Sequence, residues 1–255
     1  TRTSAATAAI YQHPGSGVAV AYWGRLDNRP DLTAQLEAGL KASDDELIAL
    51  AWLKWGEYCP ERLIGDFAFA VASPKTGTVF LARDVMGVKP LFYRADKHGV
   101  FFANSAAAFK PLKLGMLTPS REWMAKFLLE ISYSHTETAY EEIKKLPGAH
   151  SLLIHADGRT KLRRYHQFVD DAPIENKRDT KYLEAYRAAW QVAVTCRMPT
   201  SGNIGTENSG GLDSGSITAE LARQLGDARH RLFGFGFASD VLEPEYIMEV
   251  ARHCK

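Results

Sequence analysis

Residues Ser209–Ser214 read Ser-Gly-Gly-Leu-Asp-Ser, and the run that follows to Leu225 carries apolar residues at helical spacing. Few short strings restrict a chain as much. Two adjacent glycines remove the side chains that would keep an anion at a distance, while backbone N–H groups and the serine hydroxyls point at its oxygens. A helix opening directly after the turn adds the positive end of its dipole. The pattern predicts a strand, an anion-binding turn and a helix, with Ser209, Gly210, Gly211, Leu212, Asp213 and Ser214 forming a pyrophosphate cradle. Asp213 is placed to give an oxygen to a Mg2+ ion bridging the phosphates. A plain Gly-Ser turn with a capping side chain is the bland alternative.

The rest of the chain narrows the setting. With 255 residues and 45% hydrophobic composition, two modest cores are expected rather than one. Lys plus Arg number 31 against 30 Asp plus Glu, so global charge favours neither nucleic acid nor an anionic membrane as partner. No apolar stretch is long enough for a membrane span and no basic-then-apolar leader opens the sequence, which reads as soluble and cytoplasmic. Cys59, Cys196 and Cys254 are too few and too scattered for a disulfide framework or a zinc site.

The polar run Val169–Thr180 separates two differently patterned halves. Before it, short β-branched and aromatic runs at Val18–Leu26, Phe67–Ser73, Val79–Arg83, Pro90–Arg94 and Val100–Ala103 are divided by turn residues and predict a sheet-rich domain. A helix over Asp44–Trp55 is expected to bury Leu47, Ile48, Leu50, Ala51 and Trp55, and a second is expected over Ser120–Ile131. After the seam, a helix at Tyr182–Val194, a strand entering the glycine turn, a helix to Leu225, a strand at Leu232–Phe237 and a helix from Glu243 to His253 predict a parallel α/β unit. The strand entering the turn reads Asn-Ile-Gly-Thr-Glu-Asn. Either it is partly exposed or Glu207 points into the ligand cleft.

The six residues from Ser209 resemble the pyrophosphate loop of the N-type ATP pyrophosphatases, which include asparagine synthetase, β-lactam synthetase, lasso-peptide cyclases, GMP synthetase and NAD synthetase. No Walker-type Gly-Lys-Ser/Thr is present. The N-terminal half narrows the choice. GRLDNRPDL at 24–32, SDDELI at 43–48, GDFAFAV at 65–71, LARDVMGVKPLFY at 81–93 and LPGAHSLLIHADG followed by Tyr165 are similar, in order, to the glutamine amidotransferase domain of asparagine synthetase. The resemblance implies an αββα amidotransferase-like (Ntn) sandwich over residues 1–168, N-terminally incomplete. It implies the start of a parallel-sheet ATP pyrophosphatase domain over 180–255, C-terminally incomplete, without the second metal-binding loop and the amide-forming residues.

What the resemblance implies about the site is uneven. The loop would hold ATP and Mg2+, and the backbone near Phe235 would flank adenine. Glutamine-using members carry an N-terminal cysteine, whereas this sequence begins Thr1-Arg2-Thr3, and the strand at Val18–Leu26 corresponds to one well after the nucleophile. Where those members hold glutamine with Asn-Gly-Glu, this chain has Trp23, Gly24 and Arg25, so an ammonium would meet a guanidinium. Asp44 matches the other amino-group ligand but is equally suited to capping the helix. The pocket reads as vestigial, and no catalytic residue is assigned. The expectation is an AMP-forming carbon–nitrogen ligase joining a small-molecule or peptide carboxylate to a substrate amine, of the lasso-peptide cyclase or lactam synthetase type, with peptide-processing proteins as partners. Its alternatives are a glutamine-hydrolysing asparagine synthetase, a non-catalytic peptide-binding scaffold and, against the neutral charge, a tRNA-modifying pyrophosphatase.

Overall fold

The computed structural model describes residues 10–112, 115–131, 134–168, 179–199, 201–236 and 243–254. Two compact units divide between Asp170 and Asp171. Most of the polar seam at Val169–Thr180, and Thr1 with the residues after it, lie outside the described residues.

The first unit is built on a six-stranded antiparallel sheet. Its strands are β1 (Tyr11–Gln12), β2 (Ala19–Leu26), β3 (Gly65–Ser73), β4 (Thr78–Arg83), β8 (His150–Ile154) and β9 (Thr160–Arg164), adjacent in that order. A second antiparallel sheet has β5 (Phe92–Asp96) between β6 (Gly99–Ala103) and β7 (Lys144–Lys145). β5 starts later than the sequence pattern suggests because Pro90 has no N–H to give a ladder. Alternation along β3 explains the layering. Phe67, Phe69 and Val71 face one side and pack with Phe80 under helix α2 (Asp44–Trp55), while Ala68 and Ala70 face the other and meet Leu81, Leu91, Leu146 and Leu152. The two alanines leave room for the second sheet, where Tyr93 and Val100 pack on that cluster.

Helix α2 buries Leu47, Ile48, Ala49 and Ala51, while Leu50 and Trp55 of the expected set are only half-buried. Small residues bring the helix close to the sheet, and Trp52 then reaches Phe80 with ring centroids 4.8 Å apart. The helix is capped by Ser43, whose hydroxyl accepts from the Glu46 N–H. Asp44 is therefore the first helical residue and not the cap, which frees its carboxylate for other partners. A second helix on this face, α1 (Arg29–Gln35), was not expected from periodicity. Pro30 near its start is the signal that could have marked it, and Leu32 is its buried anchor. Beyond the second sheet, α3 (Arg121–Leu128) is capped by Ser120 as expected, but none of its residues is buried. Trp123 and Phe127 stack on each other at 5.2 Å instead.

The second unit contains α4 (Asp179–Thr195), β10 (Ile204–Glu207), α5 (Leu212–Leu225), β11 (Leu232–Phe235) and α6 (Glu243–His253). β10 and β11 pair in parallel through the α5 crossover, with Ile204 opposite Leu232 and Glu207 opposite Phe235. Ile204 and Thr206 are buried while Gly205 and Glu207 are exposed, which resolves the polar strand. Its inward Thr206 accepts a hydrogen bond from the Thr218 hydroxyl of α5 at 3.3 Å. Residue 237, the expected end of β11, lies outside the described residues. Among the described residues no helix is long and apolar enough to cross a membrane.

The aromatic layer under α2 is the energetic centre of the first unit. Phe69→Ala is expected to cost about 3–5 kcal/mol, as buried phenylalanine truncations do. Urea unfolding followed by tryptophan fluorescence measures it.

Candidate functional site

The expected anion loop lies between the end of β10 and the start of α5. Gly210 has φ +76, a left-handed conformation that favours glycine. A Cβ there would also lie 2.5 Å from the Cβ of Tyr246 in α6, so packing excludes a side chain at the same position. Asn208 sets the turn: its Oδ1 accepts the Gly210 N–H at 3.0 Å, and its own N–H donates to the Phe235 carbonyl at 2.7 Å. The Ser209 N–H donates to Ser214 Oγ at 3.2 Å, and the two serine hydroxyls lie 3.1 Å apart.

These bonds decide which groups face outward. The Ser209 and Gly210 amides are engaged internally. Helix α5 starts at Leu212 with Gly211 as its cap residue, and among the described residues no cap side chain bonds its first turn, whereas Ser43 and Ser120 cap α2 and α3. The N–H groups of the first turn have no carbonyl to bond within the helix. Leu212, Asp213, Gly211 and Ser209 are exposed, Leu212 at 89%. The loop thus presents first-turn amides, two paired hydroxyls and the Asp213 carboxylate on one short stretch of open surface. That donor set fits a phosphate oxygen, and a lone exposed carboxylate fits a magnesium ion that keeps most of its waters. Among the described residues, no group of three or more His, Cys, Asp or Glu side chains could hold a metal by itself.

Phe235 ends β11 with its carbonyl committed to Asn208, so its ring, 55% exposed, is the part left open. Glu207 is exposed on the same sheet face as Gly205. Two cavities lie elsewhere. One, of about 460 Å³, is lined by Thr118–Glu122, Glu137 and their neighbours, and one of about 310 Å³ by Arg223, Arg229 and His253. Neither gathers the donor set just described. In the first, the lining carboxylates Glu122 and Glu137 already pair with Lys126, and in the second, Arg223 pairs with Glu220.

Trp23, Gly24, Arg25 and Asp44, the residues expected at a glutamine pocket, are engaged with their own neighbours in the first unit. Gly24, φ +151, passes so close to β3 that a Cβ would lie 2.2 Å from the Asp66 carbonyl oxygen. Next to it, the Arg25 guanidinium donates to Asp27 at 2.5 Å and to Asp66 at 2.8 Å. Asp44 accepts from the Tyr22 hydroxyl at 2.9 Å and from the Leu26 N–H at 3.3 Å, and it forms an ion pair with Arg29. Burial pushes the Tyr22 phenol well above its ordinary range, with Asp45 adding to the shift, so it remains a protonated donor. Trp23, 40% exposed, carries the Lys89 ammonium 4.8 Å from its ring centroid.

Sequence reasoning missed Arg29 and the frame behind Lys89. Arg83 donates to the carbonyls of Lys89, Leu146 and Gly87, and Asp84 accepts from the Val88 and Lys89 N–H groups at 2.8 and 2.9 Å. The Tyr165 hydroxyl closes the frame on the Arg83 carbonyl at 2.5 Å. The Arg-Asp pair within LARDVMGVKPLFY was the available signal, since a charged pair inside an apolar run must be satisfied locally. Cys59 is buried, and all three cysteines are free thiols.

Asp44→Ala would leave the Tyr22 phenol, the Leu26 N–H and Arg29 without their shared acceptor. The expected loss is about 1–3 kcal/mol. Chemical denaturation of the variant checks the figure, and an unchanged midpoint would show that the carboxylate is not a structural hub.

Comparison with known proteins identifies the family. The glutamine amidotransferase domain family matches residues 4–166, and the asparagine synthase family matches residues 185–255. Glutamine-hydrolyzing asparagine synthetase 3 of Bacillus subtilis is 31% identical over 82% of this chain and 34% of its own length. A putative glutamine-hydrolyzing asparagine synthetase 2 of Methanocaldococcus jannaschii is 25% identical over 93% of this chain and 47% of its own. The chain thus spans between a third and a half of the length of these relatives. Among solved structures, glutamine phosphoribosylpyrophosphate amidotransferase from B. subtilis covers 86% of this chain, and is itself covered to 47%, at 17% identity and a TM-score of 0.42. An amidotransferase-like domain followed in the same chain by an asparagine synthase segment places this protein in the asparagine synthetase family.

Proposed function

We propose that this chain carries the diphosphate-gripping part of an ATP-dependent, AMP-forming carbon–nitrogen ligase whose amine comes from the substrate and not from glutamine. A carboxylate oxygen attacks the α-phosphorus of ATP, the bond to the bridging oxygen of the β-phosphate breaks, and pyrophosphate departs. The amine then attacks the activated carbonyl carbon and AMP leaves. Charge grows on the departing diphosphate, where the first-turn amides of α5 and the Ser209 and Ser214 hydroxyls are already oriented. Asp213 would hold magnesium, which when bound draws charge from the phosphate oxygens. The observation that carries the reading is this uncapped helix start directly behind the Gly210 turn.

The nitrogen source rests on Asp44. A carboxylate already shared by a phenol, an amide and a guanidinium has little left to offer an incoming ammonium. Substrate classes that combine carboxylate and amine, such as a peptide closing on itself or a lactam precursor, follow from that.

ATP–pyrophosphate exchange tests the reading. Exchange is expected with amine-bearing peptide or small-molecule acids and to be indifferent to glutamine. Aspartate-dependent exchange accompanied by glutaminase activity would overturn this reading in favour of the glutamine-hydrolysing alternative, and saturating ATP with magnesium producing no thermal shift would support the scaffold. Gly211→Ala sharpens the result. Gly211 sits at φ −76, ψ 166, open to any residue, and its added Cβ would lie 3.4 Å from Ser209 Oγ, beside the proposed cradle. The variant is expected to fold normally and to lose about tenfold or more of exchange.

A further inference from the structure

We propose that Asn208 is a positioning residue for the Ser209–Ser214 loop, its side-chain carbonyl holding the turn that aims the first amides of α5 at a diphosphate. The proposal rests on the diphosphate reading above.

Asn208 is only 2% exposed, an unusual place for a carboxamide unless its polar atoms are used. Its backbone N–H extends the parallel ladder by donating to Phe235, which fixes the residue to the sheet. From that fixed point its Oδ1 takes the Gly210 N–H, closing an Asx turn over Ser209. Gly210 can then adopt its left-handed conformation against Tyr246, and the chain emerges from the turn as α5. An apolar side chain of similar size would fill the same space without this bond. The loop would then keep its glycines and lose the contact that sets their direction.

Two consequences separate this role from packing. The Gly210 amide is spent on Asn208, so the anion-facing donors begin at Gly211 and the Gly210 amide takes no part in ligand binding. The anchor is also neutral, whereas an aspartate would make the same bond and set a negative charge behind an anion site.

Residue-resolved amide exchange and calorimetric titration with magnesium pyrophosphate test both on the whole chain. In the native protein the Gly210 amide is expected to be protected without ligand and unchanged by it. Asn208→Leu is expected to expose that amide and to weaken pyrophosphate binding about ten- to a hundredfold, as small misplacements of oriented groups do. Asn208→Asp is expected to keep the amide protected and still to weaken binding, which loss of packing alone would not produce. Native protein that binds pyrophosphate while Asn208→Leu binds it equally well, or a Gly210 amide that becomes protected only on binding, overturns the positioning role. Native protein that binds no pyrophosphate overturns the diphosphate reading itself, and this proposal with it.

Discussion

Among the described residues, no cap side chain accepts the backbone N–H groups at the start of α5. Helices α2 and α3 end the same need with a serine hydroxyl, but the cap residue of α5 is Gly211, which has no side chain to turn back. The arrangement behind them is closed by contrast. Asn208 takes one loop amide, Ser214 takes another, and Tyr246 of α6 fills the space a larger residue than Gly210 would need. What stays open is a short row of donors beside a carboxylate, fixed before any ligand arrives. Pre-oriented dipoles of this kind need little reorganisation when charge develops next to them, which is why the loop and not either cavity is the centre of the functional reading.

The first unit shows the opposite treatment of charge. Arg25 is shared by Asp27 and Asp66, Arg29 pairs with Asp44, and Arg83 and Asp84 bind backbone groups of the loop that carries Lys89. Each of these charged groups has an internal partner, so this part of the first unit is cross-linked by the protein itself. The aromatic layer of Phe67, Phe69, Phe80 and Trp52 supports these contacts from below by fixing β2, β3 and α2 to one another.

Much of this was legible from the residues. Alternation located the strands of the first unit because one sheet face is aromatic and the other lined by alanine. Helical spacing located α5 and α6, with α6 running over Glu243–His253 as the pattern indicates. Less visible were contacts made by polar side chains. Asp44 read as a ligand or a cap; Ser43 takes the cap, and Arg29 pairs with the Asp44 carboxylate across the α1–α2 turn, a contact periodicity does not reveal. Asn208 looked misplaced in a buried strand, and nothing in a linear string shows that its amide would reach Gly210 two residues on. The polar β10 is tolerated for a similar reason, since Thr206 has a hydroxyl partner in α5 that periodicity does not reveal.

The central claim is that the first-turn amides of α5 grip a diphosphate. Amide chemical shifts of uniformly ¹⁵N-labelled protein, recorded as magnesium pyrophosphate is added, test it most directly. The account predicts saturable shifts concentrated at Gly211, Leu212, Asp213 and Ser214, abolished when magnesium pyrophosphate is replaced by magnesium chloride. Shifts confined to the first unit, or none at these four residues, would contradict it.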